Sequence, residues 1–479
     1  MTATIPSAPQ NPTEPARGDA VDMSCRYPVA FLFFKAAVWL VIGSALGLLA
    51  SVKLHAPNLL ANCPWLTYGR LSAAVSEIFL YGFASQVALG IALWLMARLG
   101  NVPLMQPFSL MLGYFLWNTG VFIGVIGILA GDASGYDFLQ MPRYAAPFLF
   151  SGYALIVIAA FVTFHLRRAA KLHVSQWFLF AGLFWFPWIY STAVYVLLYH
   201  PPHGVMQVIV DFWYANNFSA IWLGSVALAV IFYFIPKIAG RDFVSRNLAA
   251  LGFWVWLFFA GWCGIPRSSP LPAWVSGLSL VAGVFMLVAL TAILIVWKGT
   301  LGGACSRAKG TVPTAFASFG AMAFIATTLL NVAVPPYRVG GVLNYTLAVN
   351  AFSQIALYGF VTMTFFGAIY YIVPRIVDAD WARAAWPKTH LYLAMAGFGI
   401  FVLSMFFGGF IEGTKIVEPN VAFADVWKSM MPFLGMSTLG ILLMLAGHVA
   451  LAVNLGLMIK RHCCCCSCST QCETTEVAS

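Results

Sequence analysis

Charge is what this sequence has least of. Of its 479 residues, 8% are Asp, Glu, Lys or Arg, against about 25% in an average soluble domain. A chain so poor in charge cannot cover a water-facing surface. That excludes a soluble globular enzyme, a nucleic-acid-binding protein and a disordered scaffold. Acidic residues are the scarcer sign, 15 against 25 Lys and Arg. The resulting net charge of +10 does not imply a nucleic-acid partner, because membrane proteins gather Lys and Arg in their cytoplasmic loops. Histidine is sparse as well, with 8 in the whole chain. The run of four cysteines near the C-terminus lacks the CxxC…CxxC spacing of a structural zinc site. The start shows no basic residues followed by a short apolar run, the pattern of a cleavable signal.

What is present is apolar. Hydrophobic residues make up 61% and aromatics 16% of the chain. A helix crossing a bilayer needs about 20 largely apolar residues, and twelve such stretches can be read: 29–51, 74–97, 104–130, 145–166, 175–199, 205–236, 246–266, 272–297, 312–334, 343–374, 389–411 and 429–459. The expected fold is an all-α integral membrane protein of twelve transmembrane helices, with no soluble domain inserted. Residues 1–27, rich in Pro, Ala and Thr, read as a disordered cytoplasmic leader. Residues 28–460 form the membrane domain, and 461–479 a cytoplasmic Cys-rich tail.

With the N-terminus inside, most Lys and Arg fall on the cytoplasmic side. The outer side holds Lys53, Arg70, Arg143, Arg267, Arg338, Lys415 and Lys428. The asymmetry predicts both termini in the cytoplasm. A weak internal repeat accompanies it: the sixth span closes in IFYFIPK, at Pro236 and Lys237, and the tenth in AIYYIVPR, at Pro374 and Arg375. Interfacial aromatics, a stop and a basic anchor explain this pattern as well as an internal duplication does.

Four local motifs, in order, carry a resemblance. WLTYGRLSAAVSEIFLYGFA (65–84) resembles the entry to span 2 of the cbb-type heme–copper oxidase catalytic subunit. DFWYANNFSAIWLGSVALAVIFYFIPKIAGR resembles that family's span 6, FFAGWCGIPRSSPLPAW its span 7, and AFSQIALYGFVTMTFFGAIYYIVPR its span 10. The similarity covers nearly the whole chain apart from its two tails. It implies the heme–copper oxidase subunit I fold. It also implies heme b and copper as the family's cofactors, reduction of dioxygen with electrons from cytochrome c, and membrane-anchored cytochrome c subunits as partners. Nitric oxide reductases of the same superfamily use a nonheme iron in place of copper.

The family's metals are held by six imidazoles, and alignment on these motifs places none here. The heme-ligand positions fall on Val75, Phe352 and Gln354. The copper-ligand positions fall on Asn216, Pro266 and Arg267, and the family's span 7 tyrosine on Ala260. Of the eight histidines, His55, His200 and His203 are expected in outer loops. His165, His173, His390 and His462 are expected at the cytoplasmic edge, leaving only His448 inside the bilayer, where a packed structural role is the commoner one. Cys263 reads as a core filler more than a metal ligand. No heme or copper is therefore expected in this chain.

Charged side chains are costly inside a bilayer and tend to pair or reach water. Arg267, Glu77 and Asp211 are accordingly candidates for a polar replacement site, with snorkelling to the outer interface as the alternative. The tail, RHCCCCSCSTQCETTEVAS, places six of the ten cysteines between Cys463 and Cys472. It suits a neutral tail, lipidation or capture of a soft metal. Three functions follow: a non-catalytic respiratory-complex or assembly paralogue in the inner membrane; an oxidase or nitric oxide reductase with unusual ligands; or a channel or transporter using Tyr358, Thr362, Thr364 and Tyr370 to line a path.

Overall fold

The computed structural model describes residues 17–265, 269–302, 310–335 and 337–476, the side chains of 17–19, 337–338 and 461–476 excepted. Among these residues there are helices and no strands. Eleven helices are long and apolar enough to cross a membrane. They are α1 (Arg17–His55), α2 (Tyr68–Gly100), α3 (Pro107–Ala130), α4 (Arg143–His165), α5 (Val174–Tyr199), α6 (Val205–Ala239), α8 (Ala273–Leu301), α9 (Val312–Ala333), α10 (Leu347–Val377), α11 (Trp386–Val417) and α12 (Phe423–Glu476). The expected seventh span is the shorter α7 (Arg246–Phe259), prolonged by one tight 3-10 turn, Ala260–Trp262. It stops there because Cys263 is extended and Gly264 is left-handed (φ +92), with Asn331 of α9 packed where a Cβ would stand. The twelve-span reading thus becomes eleven full crossings and one short one.

Three helices form the centre. The most apolar stretches of α2, α6 and α10 are 94%, 89% and 83% buried by protein, whereas those of the other eight long crossings are half buried or less. A helix that is hydrophobic all round belongs inside. Each of the three widens into a π-helical turn at the same depth: Ile78–Ala84, Asn217–Leu223 and Ile355–Thr362. Such turns mark functional sites more often than ordinary helix does. One residue before each stands a polar side chain, Glu77, Asn216 or Gln354. At a common distance beyond come Trp94, Tyr233 and Tyr371, then the bases Arg98, Lys237 and Arg375. All three helices then end in a left-handed residue in the same register, Asn101, Gly240 and Asp378, whose N–H bonds back to Ala97, Pro236 and Pro374. The two-helix repeat seen in the sequence therefore extends to three. The motif LYGF occurs twice inside these turns, and its glycine has one job in both places. A Cβ on Gly82 would stand 3.0 Å from Trp39 of α1, and one on Gly359 2.9 Å from Phe398 of α11.

The longest contact runs between α11 and α12. Their backbones meet at Gly397 and Gly440, where a Cβ on either would lie 2.6 or 2.7 Å from the other's carbonyl oxygen. Close approach through small residues is how membrane helices gain van der Waals contact. At the N-terminus the helix starts at Arg17, so the end of the expected disordered leader is ordered instead. Val21 and Cys25 are buried, and Asp22 accepts from Trp94 Nε1 at 2.9 Å and pairs with Arg98 at 3.1 Å. At the other end, the backbone of α12 stays helical through most of the expected tail.

Gly397→Val is expected to lower the melting temperature of the purified protein by overpacking, at a cost of roughly 1–3 kcal/mol, while Gly399→Val, where a Cβ meets nothing within 4 Å, leaves it unchanged. A second outcome concerns His173, whose Nδ1 accepts from the Ser175 N–H and caps α5 at 3.2 Å. Desolvation by burial, then Arg246, pushes its pKa down from 6.5 to about 4. The unfolded chain thus binds more protons between those values, so stability falls as the pH drops from 6.5 towards 4. Thermal melts across that window check this, and His173→Asn, which caps without titrating, flattens the slope.

Candidate functional site

The polar residue that precedes each π turn stands at one level, in the half of the helix bundle where α2, α6 and α10 begin, and each meets a different surrounding. Val75, one turn before the break in α2, packs on α1, with its Cγ1 3.4 Å from where a Cβ on Gly47 would stand. Phe352 of α10 packs edge-on against Phe406 of α11, ring centroids 6.1 Å apart. Gln354 is half-buried.

Asn216 faces a cavity. It holds about 70 Å³ and lies between α6, α7, α8, α9 and α10, with Trp256, Met286, Phe324 and Phe360 among its apolar walls. Its polar lining includes the Asn216 amide nitrogen and the Thr327 hydroxyl, neither with a hydrogen-bond partner among the described residues, beside Asn331. Cys263 also reaches the cavity, its thiol 3.9 Å from the Asn331 carbonyl. The neighbouring Asn217 is by contrast fully engaged: it accepts from Trp185 Nε1 and donates to the Trp213 carbonyl, both at 2.8 Å. Unpaired amide and hydroxyl groups in a space of this size are the setting of ordered water. Pro266 and Arg267 lie outside the described residues, and with them the proposed partner of Glu77 and Asp211.

Both carboxylates have partners of another kind. The loop between α3 and α4 folds over the N-terminal parts of α2 and α6. Its Gln140 N–H donates to Glu77 at 3.1 Å, and its Asp137 N–H donates to Asp211 at 2.9 Å. The Phe138 carbonyl of the same loop accepts from the Tyr81 hydroxyl at 2.8 Å, which in turn accepts from Tyr214. The loop is held at its root by Arg70, the arginine of YGRL, which donates to the Leu129 carbonyl at 3.0 Å. Gly131 beside it has φ +108 and no room for a Cβ against that guanidinium. A cation on the last carbonyls of a helix also suits the helix dipole. Burial raises the Asp137 carboxyl above its usual range. Among the described residues, no three His, Cys, Asp or Glu side chains converge as a metal site.

A second polar cluster lies between α1, α10, α11 and α12. The Ser44 hydroxyl donates to the Leu40 carbonyl at 2.7 Å, so it accepts from His448 Nδ1 at 2.8 Å. That tautomer leaves Nε2 to accept from the Tyr358 hydroxyl, also at 2.8 Å. His390, expected at the cytoplasmic edge, is fully buried instead: its Nδ1 is 2.9 Å from the Tyr370 hydroxyl and its ring centroid 6.0 Å from that of His448. Gly447 makes the space, since a Cβ there would lie 2.9 Å from the His390 ring. Sequence position near a span end hid this residue, and a glycine beside a histidine on the facing helix was the available signal. Thr362 and Thr364 bond to the Leu357 and Phe360 carbonyls of their own helix, so they do not offer free hydroxyls to a path.

Glu77→Ala is expected to release the Gln140 amide. Its hydrogen exchange should accelerate roughly tenfold, the loss of a bond worth about 1.4 kcal/mol, while exchange in the loop between α5 and α6 stays unchanged.

Comparison with known proteins gives a consistent result. Residues 28–443 match the family described as Cytochrome C and Quinol oxidase polypeptide I. The chain is 23% identical over 455 residues to the "Cytochrome c oxidase subunit 1 homolog" of Azorhizobium caulinodans, covering 91% of this chain and 82% of that one. It is 21% identical over 438 residues to the "Cbb3-type cytochrome c oxidase subunit CcoN1" of Stutzerimonas stutzeri, covering 87% and 91% respectively. In fold it is similar to a solved heme-copper terminal oxidase, with a TM-score of 0.69 at 13% identity over 90% of this chain and 84% of that one.

Proposed function

This multi-pass membrane protein belongs to the cytochrome c and quinol oxidase polypeptide I family, and within that family we propose that it is a non-catalytic subunit, which keeps the scaffold and lacks its own heme and copper. The family's reaction depends on imidazole nitrogens at fixed positions on the three inner helices and on α7, because heme iron and copper take neutral imidazole as ligand. The observation that carries the reading is the donor set at those positions. Val75 and Phe352 offer no lone pair, and Gln354 and Asn216 offer amides. An amide nitrogen has no lone pair free for a metal, and an amide oxygen is a hard, neutral donor that suits calcium or magnesium better than heme iron or copper. These residues do not fit a bis-imidazole heme or a three-imidazole copper.

The chain's buried imidazoles do not take over the task. Both nitrogens of His448 are engaged with hydroxyls, and His390 is bonded through Nδ1 to Tyr370, which leaves its Nε2, among the described residues, as one unpartnered donor where the family's metals take six imidazoles. These histidines belong to α11 and α12 and lie apart from Asn216 and its cavity. With no redox centre of its own, such a subunit acts through what it binds. Membrane-anchored cytochrome c subunits are the partners proposed by likeness to its relatives, in the inner membrane, with both termini in the cytoplasm.

A pyridine-hemochrome spectrum and copper analysis of the protein purified from its own membranes test the reading. The expected result is well under one heme b and one copper per chain, with c-type cytochrome subunits, recognised by their separate heme c bands, retained. One heme b or more per chain would overturn the proposal, and its persistence in Val75→Ala and Gln354→Ala would place its ligands elsewhere.

A further inference from the structure

At the end of the bundle where α2, α6 and α10 finish, the three equivalent aromatics close on one another. The Trp94 ring centroid lies 5.6 Å from that of Tyr233 and 6.0 Å from that of Tyr371, and Tyr233 and Tyr371 are 6.0 Å apart, all edge to face. Over this floor stand the three equivalent bases. Arg98 is neutralised by Asp22 at 3.1 Å. Lys237 and Arg375 are not: neither forms a salt bridge among the described residues, and the acidic residues that follow in sequence, Asp378 and Asp380, do not turn back to Arg375.

The two cations nevertheless share one ring. Lys237 Nζ donates to the Tyr371 hydroxyl at 3.0 Å and sits 5.5 Å from the ring centroid, beyond the hydroxyl edge. The Arg375 guanidinium lies over the ring at 4.2 Å. Two exposed positive groups are thus fixed to one side chain. Lys237 is also held over Tyr233 at 4.5 Å. Like charges held this close repel unless an anion lies between them. An arginine fork beside a lysine point charge is a recurrent way of holding phosphate. General enrichment of basic residues at one membrane face accounts for the presence of cations here. It does not account for their convergence on one aromatic floor without a carboxylate.

We propose that Lys237 and Arg375, anchored on Tyr371, form a binding site for a single phosphate group. The phosphodiester of an anionic phospholipid headgroup and free phosphate share the required chemistry. The site is independent of whether the chain carries heme.

Native mass spectrometry of the detergent-purified full chain tests it, titrating phosphatidylglycerol, phosphatidylcholine and inorganic phosphate in separate arms. The expected result is retention of phosphatidylglycerol over phosphatidylcholine, weakened roughly tenfold or more in Lys237→Gln/Arg375→Gln, the scale of losing two basic contacts to an anionic headgroup. Binding of inorganic phosphate with the same dependence, without phosphatidylglycerol, supports the site and assigns it to free phosphate. Lys298→Gln/Lys388→Gln removes the same charge from the same end of the bundle and should leave binding unchanged. Equal weakening by both double variants, or no weakening by either, overturns the proposal, as does failure of the wild-type protein to bind any of the three. Should the double variant not fold, the single variants Lys237→Gln and Arg375→Gln are each expected to weaken binding in part, and Lys237→Arg to preserve it. No loss in either single variant counts against the site.

Discussion

Inside a bilayer every backbone N–H and C=O has to be satisfied within the protein, because no water is there to take its place. The three inner helices meet that constraint while changing helical pitch at one common depth. A π turn widens the ring of hydrogen bonds and adds a residue, which rotates the side chains on either side of it. Much else follows from that rotation. It aims Glu77, Asn216 and Gln354 into three different surroundings, and it brings Trp94, Tyr233 and Tyr371 together at the far end.

The three surroundings are filled by unlike means. Around α2 the polar residue is covered by a loop that offers a backbone N–H group to the buried carboxyl, with no cation beside it among the described residues. Around α6 the amide opens on a cavity of about 70 Å³. Around α10 the neighbouring space is taken by aromatic packing on α11. One scaffold therefore presents three chemically different niches at equal depth.

The balance between the two ends of the inner helices is also physical. Towards their N-terminal ends, polar groups of α2 and α6 are engaged by the α3–α4 loop, which is pinned by Arg70 on the end of α3. At the opposite end, bases outnumber acids. Asp22 reaches Arg98 because the first helix begins well before its apolar run. The remaining two cations are left to aromatic rings and to whatever anion the medium supplies.

The sequence by itself determined the class of structure and the family. An apolar run of sufficient length has one stable solution in a bilayer, and the YGRL, IFYFIPK and LYGF motifs are contiguous, so they survive without knowledge of the fold. It also determined which residue types stand at the family's ligand positions, since identity is read directly from alignment on those motifs. What only the tertiary structure decided are relations between distant segments. The shorter seventh crossing depends on Asn331 packing behind Gly264. The burial of His390 depends on Gly447 of the next helix. The capping of Glu77 and Asp211 depends on backbone amides, which carry no side-chain signature and therefore leave no trace in the sequence. The repeat was half legible, because α6 and α10 share a Pro-base ending that α2 lacks. Its third member emerged only when the π turns set the register, since hydrogen-bond pitch is a property of the folded backbone and not of any residue type.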